Sequence, residues 1–394
     1  MKKEIIYISY DGLMESIGIS QIYKYLINLQ GDYRINIISY EKKIDYQNKK
    51  KINHFEQKLK ISNLRWTRLK YHKYPMILST VYDTIKGFIV ASFLIIKFKN
   101  IKLIHIRGYL PGLIIFPLLY LTKIKILFDM RGFWPDEKAD RTNLSRNSLI
   151  YKFLKFVERI LLQKSEKIIC LTYESIDLLL NKYHYLNRSK FLVIPTCVDT
   201  NEFKLLNKNK KNKNKIIFAY LGSVDTAYNI NVILNFFKNI LKFLPHSELR
   251  IFTKQTDEFR NIDDGYNFLS DNLIIKNVEH QNVSEELSKC DIGIFYLIDN
   301  FSIKASFPTK IGEFLSCGLP IICNNFNKDI LGIISSNKLG YIYDFDKLNY
   351  EKVSKEIIQL VDDSNINFKC SNFAKTNISL KIGVKLLKEV YDGI

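Results

Sequence analysis

The chain has 394 residues, which at roughly 100–200 residues per domain predicts two domains. Its composition, 47% hydrophobic and 25% charged, excludes bulk disorder and the collagen-like and disulfide-scaffold classes. The net charge of +19 lies almost wholly in the first half: residues 1–200 hold 34 Lys/Arg and 17 Asp/Glu, and residues 201–394 hold 25 and 23. A basic half implies an anionic partner, and the lack of any recognisable RNA or DNA module argues against nucleic acid.

In chain order, short apolar runs at 5–10, 35–40, 103–106, 126–129, 167–171 and 192–194 predict strands, separated by helical stretches such as 20–29 and 148–163. The polar run at 207–215, NKNKKNKNK, has no means of packing a core and marks a linker. Strand signals resume at 216–221, 249–253, 292–296, 319–323 and 341–343. Such runs are near-continuously apolar because parallel strands are covered on both faces. This rhythm, seen twice, predicts an α/β chain of two doubly wound Rossmann-like domains with ligands at the strand C-terminal ends, across a shared central cleft. The expected bounds are 1–203, a linker at 204–215, and 216–379.

The six cysteines form no C-x-x-C pair and read as free thiols of a reducing compartment. No secretory leader is evident before the first strand. The apolar stretches at 108–122 and 87–96 are too short for a span of about 20 residues, so a soluble or peripheral protein is expected.

Four segments carry candidate chemistry. After the first strand, Asp11 to Gln21 includes Gly12 and Gly18, which allow close backbone approach, with a helix amino end beyond Gly18 facing an anion. After the 126–129 strand comes Asp129-Met130-Arg131-Gly132-Phe133-Trp134: Arg131 suits a phosphate or carboxylate, and Trp134 a sugar face. Leu221-Gly222-Ser223-Val224-Asp225-Thr226 ends the first strand of the second half, where Gly222 admits a phosphate. The most informative segment runs from Ser302 to Pro320. Pro308 fits the first turn of a short helix, Gly318 its C′ position and Pro320 its stop. The amides at the amino end of this helix, with Lys304 and Lys310, make a diphosphate site. Glu313 shares a helix face with Lys310 and suits two ribose hydroxyls. Asp344-Phe345-Asp346 reads as a solvated helix entry rather than a metal motif, His105 as a core histidine, and no metal-ligand spacing is present.

Together these segments resemble the group 1 glycosyltransferases of family 4, with the GT-B fold, in the branch that builds bacterial surface polysaccharide. The resemblance rests on YDGLMESIGISQI, His105-Ile106-Arg107, DMRGFWPDEKAD, Ile194-Pro195 with Cys197-Val198-Asp199, Leu221-Gly222-Ser223 and SIKASFPTKIGEFLSCGLPII. It implies retaining, metal-independent transfer from a nucleotide-sugar, with no cofactor. It places the donor on Gly222, Ser223, Lys254, Ser306, Pro308, Thr309, Lys310 and Glu313. Gly12, Gly18, Gln21, Arg107 and Trp134 fall on the acceptor side, Asp129 and Arg131 shape the acceptor or sugar site, and the helix at 380–394 returns to the first domain. The family commonly carries Glu-x7-Glu; Glu313 fits the second position and Ala305 stands at the first. An epimerase or phosphorylase of the same fold, or a binding subunit without catalysis, are the alternatives. The implied acceptor is a glycan or a polyprenyl-diphosphate-linked sugar. Residues 41–100, with 14 Lys/Arg against 4 Asp/Glu and Arg65, Trp66, Arg68 and Lys70 among them, then suggest an anionic membrane partner on the cytoplasmic side.

Overall fold

The computed structural model describes residues 2–206, 215–224, 228–257 and 271–394. The expected linker at 207–214, and Asp225 and Thr226, lie outside the described residues. The chain divides into two units, Met1–Pro195 with Gly383–Ile394, and Thr196–Ile382.

The first unit holds seven parallel strands: β1 (Lys3–Ser9), β2 (Tyr33–Glu41), β3 (Leu64–Lys70), β4 (Ile101–Arg107), β5 (Lys125–Asp129), β6 (Lys167–Cys170) and β7 (Phe191–Val193). Their order is β3-β2-β1-β4-β5-β6-β7. Ile5, Ile6, Ile8, Ile35, Ile37 and Ile104 fill the core, as unbroken apolar runs require. The terminal helix, Leu380–Gly393, is tied to this sheet at its end. Lys3 donates to the Tyr391 carbonyl at 3.1 Å, Tyr33 donates to Asp392, and the Tyr391 hydroxyl lies 2.8 Å from His105 Nδ1.

Among its described residues the second unit holds six parallel strands: β8 (Ile217–Leu221), β9 (Glu248–Phe252), β10 (Leu273–Lys276), β11 (Ile292–Ile294), β12 (Ile321–Asn324) and β13 (Gly340–Tyr343), in the order β10-β9-β8-β11-β12-β13. In both sheets the strand order reverses beside the first strand, between β1 and β4 and between β8 and β11. Doubly wound sheets bind ligands at the strand C-terminal ends beside such a reversal.

The structure departs from the sequence reading at the division between the units, at two edge strands and in the helix that holds residues 87–96. The division falls at Pro195/Thr196 rather than after 203. The cause is local: Val198 exchanges backbone hydrogen bonds with Ile378 and Leu380, at 2.9 and 2.7 Å, so this segment packs with the second unit. Strands β3 and β10, both at sheet edges, carry no sequence expectation; β3 is rich in arginine and lysine, which breaks its apolar run. Three of the residues expected at a membrane surface make contacts within their own unit. Arg65 pairs with Glu4 at 2.7 Å, Arg68 pairs with Glu56, and Trp66 Nε1 donates to Ser39 Oγ at 2.7 Å. Finally, residues 87–96 belong to one 22-residue helix, Met76–Lys97, long and apolar enough by length and composition to cross a membrane. Counting uncharged residues hid it, because Asp83 and Lys86 interrupt the apolar run.

Candidate active sites

In the second unit the site forms at the β8–β11 reversal. Gly222 ends β8 with φ +121°, a conformation that side chains rarely adopt, and its amide donates to the Phe252 carbonyl at 3.0 Å. The helix Thr309–Ser316 follows the 3₁₀ turn Phe301–Ala305. Pro308 is the N-cap residue itself, one position earlier than the sequence suggests, because its backbone is still extended (ψ 134°). No side chain caps this amino end. The carboxyl end closes as expected: Gly318 has φ +78°, its amide donates to Leu315 and that of Leu319 to Phe314, both at 2.9 Å. The helix sits close to its neighbours because Gly312 meets Val198 and Gly293 of β11 meets Phe314.

This packing drives Lys310 inward. Its side chain is buried, and its Nζ has no hydrogen-bond partner among the described residues. A Cβ at Gly222 would stand 3.3 Å from that nitrogen. Three aromatic faces surround it, with Tyr228 at 3.4 Å, Tyr220 at 4.7 Å and Phe295 at 5.4 Å from the ring centroids. Aromatic faces attract a cation but accept no strong hydrogen bond. Burial therefore pushes the ammonium down to about 7, with Glu313 opposing the shift. Burial likewise pushes Glu313 up to about 7 against the pull of Lys310. The pair makes no salt bridge, so an ammonium and the open end of a helix stay available to an anion.

The surrounding loop is held by two asparagines that sequence reasoning missed. Asn327 donates to the Lys304 carbonyl at 2.6 Å and to that of Ser306 at 3.4 Å, and its Oδ1 caps the helix Lys328–Ser336. Asn324 exchanges hydrogen bonds with Leu297, at 2.8 and 3.0 Å. Lys304 pairs with Asp299 at 2.8 Å, and Thr309 is exposed. Ala305 is buried, so no carboxylate stands there. Ser223 offers its carbonyl to the Tyr220 hydroxyl, and Lys254 is exposed beyond β9.

In the first unit, a cavity of about 200 Å³ opens at the β1–β4 reversal, lined by Tyr10, Asp11, Arg107, Arg131, Trp134 and Glu137 among others. Arg131 (φ +56°) and Gly132 (φ +118°) make the tight turn after β5. A non-glycine residue in this region costs on the order of 1–2 kcal/mol, so the turn is imposed by its surroundings. Asp129 sits behind the cavity, with Arg107 at 3.1 Å, His105 at 3.8 Å and Arg131 at 3.9 Å. Burial alone would raise the Asp129 carboxyl; Arg131 above all, with His105 and Arg107, holds it down at about 2. A second void of about 20 Å³, lined by Tyr7, Gln21, His105, Arg107, Asp129 and Arg131, has room for one water. His105 Nε2, Arg107 Nε and Asp129 Oδ1 are buried there without hydrogen-bond partners among the described residues. His105 is thus a less satisfied core residue than its place on a strand suggested.

Of the expected acceptor residues, Arg107 and Trp134 line the larger cavity and Gln21 the smaller. Gly12 and Gly18 line neither. A Cβ at Gly18 would overlap the Gly12 carbonyl, and one at Gly12 would strike Glu41. The first helix begins at Ser16, ahead of Gly18, and the nearby amides are already occupied: those of Leu13 and Met14 donate to the Glu41 carboxylate, at 2.8 and 3.3 Å. The loop's expected anion is therefore a side chain of the same unit. Asp344-Phe345-Asp346 follows β13 as a turn in which the Asp346 amide donates to Asp344 at 3.2 Å.

Residues 201–377 match the family model for glycosyl transferases, group 1, which covers most of the second unit. No curated protein sequence matches the chain. Among solved structures, sucrose-phosphate synthase from Thermosynechococcus elongatus is similar over 100% of this chain and 99% of its own, with TM-score 0.72 and 12% identity. A glycosyltransferase from Rickettsia africae is similar over 100% and 98%, with TM-score 0.70 and 14% identity. Anabaena HepE in complex with UDP-glucose is similar over 99% and 100%, with TM-score 0.67 and 8% identity. The chain therefore has the GT-B fold, and most of its second unit matches the group 1 glycosyl transferase model.

Proposed function

We propose that the protein is a retaining, metal-independent glycosyltransferase that moves a sugar from a nucleotide-sugar to a glycan or polyprenyl-diphosphate-linked acceptor. We place it in surface polysaccharide synthesis on the cytoplasmic side of the membrane. Lys310 carries the reading. It is a buried ammonium without a hydrogen-bond partner among the described residues, beside a glycine turn and an uncapped helix amino end. A diphosphate supplies what this environment lacks, namely negative charge and acceptor oxygens. The UDP and UDP-glucose complexes of HepE support a nucleotide-sugar as the donor.

In this reading the acceptor hydroxyl oxygen bonds to the anomeric carbon as the bond from that carbon to the diphosphate oxygen breaks. The hydroxyl proton passes to an oxygen of the departing diphosphate. Attack on the face that the diphosphate leaves retains the configuration. The side chains then need only position the reactants and stabilise charge. Lys310, aided by Lys304 and the helix amino end, meets the charge that develops on the diphosphate, and Glu313 accepts hydrogen bonds from the ribose. In the first unit Arg107, Arg131 and Trp134 receive the acceptor. Asp129 acts through the two arginines as a positioning residue.

The test is a thermal-shift titration with UDP, GDP, CMP, dTDP and ADP, since a ligand of the native state raises its stability by mass action. One nucleotide stabilises the wild type and leaves Lys310→Ala unchanged. A flat response to all five by the wild type, with no binding of intact nucleotide-sugars by calorimetry, would remove the donor assignment.

A further inference from the structure

The first sheet runs β1, β2, β3 in one direction and then returns through β4, β5 and β6 in the other. Right-handed crossovers therefore put the helices after β3 in one layer on one face of the sheet. Two of them, Met76–Lys97 and Leu149–Lys164, both pack against the helix Tyr109–Ile114 between them. Their outer surface is unusual for a layer that faces solvent.

The helix Met76–Lys97 is roughly 33 Å long. Ser79, Asp83, Gly87, Ala91 and Leu94 form its buried inner face. Asp83 accepts from the Tyr10 hydroxyl at 2.9 Å and the His72 amide at 3.0 Å, which fixes the helix to its unit. It therefore lies on the domain instead of leaving it to span a bilayer. On the opposite side Ile77, Val81, Ile85, Ile89, Phe93 and Ile96 are each 51–76% exposed, at helical spacing. The helix Leu149–Lys164 repeats the pattern with exposed Leu149, Ile150, Phe153 and Phe156.

The charges sort by depth. Each helix has one acid, Asp83 in the first and Glu158 in the second, and both are fully buried. Glu158 accepts from Tyr109 and Tyr183, each at 2.9 Å, and pairs with Lys155. The exposed charges are all cations: Lys97, Lys152, Arg159 and Lys164. Lys97 lies over Phe93 at 5.7 Å and Lys164 over Tyr120 at 4.7 Å, so their stems run along apolar surface. Apolar side chains studded with cations and free of acids suit the headgroup region of an anionic bilayer. A second copy of the chain on this face would instead set cations against cations. We infer that this helical layer docks in the plane of an anionic lipid membrane, with the outer faces of the helices Met76–Lys97 and Leu149–Lys164 entering the headgroup region. The proposed lipid-linked acceptor would give the docking its purpose, but the docking itself does not rest on that reading.

Full-length protein is co-sedimented with vesicles of phosphatidylcholine alone and of phosphatidylcholine with phosphatidylglycerol. The wild type binds the anionic vesicles, and added salt weakens the binding. The variants I85E/I89E and F153E, which alter exposed positions, bind at least about tenfold more weakly. I358E, on an exposed apolar residue of the second unit, binds as the wild type does. UDP stabilisation is read on the same samples, so a failed nucleotide assignment is distinguishable from a failed membrane one. Wild type that stays in the supernatant with both vesicle types overturns the inference, as do I85E/I89E and F153E samples that partition like wild type. A dimer that I85E/I89E dissociates, with no vesicle binding, would assign the face to a second copy and overturn it equally.

Discussion

Both units build a site at the point where their strand order reverses, yet the two sites balance charge in opposite ways. In the first, Asp129 is buried among Arg107, Arg131 and His105, and the cations hold its carboxyl at about 2. In the second, Lys310 is buried among aromatic rings, and burial pushes its ammonium down to about 7. A carboxylate that already has its counter-ions holds a shape. An ammonium that lacks acceptors is completed by a ligand, because an unpaired buried charge is costly until something pairs with it.

Four experiments separate these roles. Asp129→Asn strands two guanidiniums without their carboxylate, and the expected loss of stability is about 3–5 kcal/mol, read from denaturant midpoints. The Asp129 contribution is fully present above pH about 4 and is lost as pH falls toward 2, because its folded-state value lies below the ordinary 3.8. The variant accordingly loses part of the acid-side slope of stability. An Asn variant as stable as wild type would show that the carboxylate holds nothing.

Lys310→Ala lowers turnover by roughly 100-fold or more while the protein remains folded. Lys310→Met sharpens the contrast, since it raises the melting temperature at pH 6 in the absence of nucleotide, by relieving a buried cation, and abolishes nucleotide stabilisation. A lower melting temperature would mean that the ammonium serves the fold. Smaller still is the expected effect of Asn327→Ala, about 1–2 kcal/mol of stability from the lost helix cap. That variant also weakens nucleotide binding, because the same side chain fixes the Lys304 and Ser306 carbonyls. Wild-type affinity with reduced stability would confine Asn327 to capping.

Much of the fold was legible because buried parallel strands leave unbroken apolar runs, and Gly318 and Pro320 punctuate the key helix as their backbone limits require. The edge β3 was not, since Arg65, Arg68 and Lys70 break its apolar run. At the sites, Lys310 and Glu313 were readable from spacing, whereas the aromatic cage of Tyr220, Tyr228 and Phe295 assembles from three separate segments. The Gly12–Gly18 loop shows the same limit of sequence reading. Its amides do face an anion, but that anion is Glu41 at the end of the neighbouring strand β2, a pairing that only the fold creates. The outer face of Met76–Lys97 was hidden because Asp83 and Lys86 interrupt the apolar run, and only the fold shows which side is exposed.

The most direct measurement is calorimetric titration of UDP, or of whichever nucleotide stabilises the wild type, into wild type and Lys310→Met between pH 6 and pH 9. Free Lys310 loses its proton near pH 7, and a bound diphosphate restores it. Wild-type affinity therefore falls as pH rises above about 7, by up to roughly tenfold per unit, and binding near pH 8 takes up close to one proton. Lys310→Met shows weak binding with neither signature. Equal affinity in the two proteins, or wild-type binding without proton uptake at pH 8, would contradict the assignment of the buried ammonium to the diphosphate.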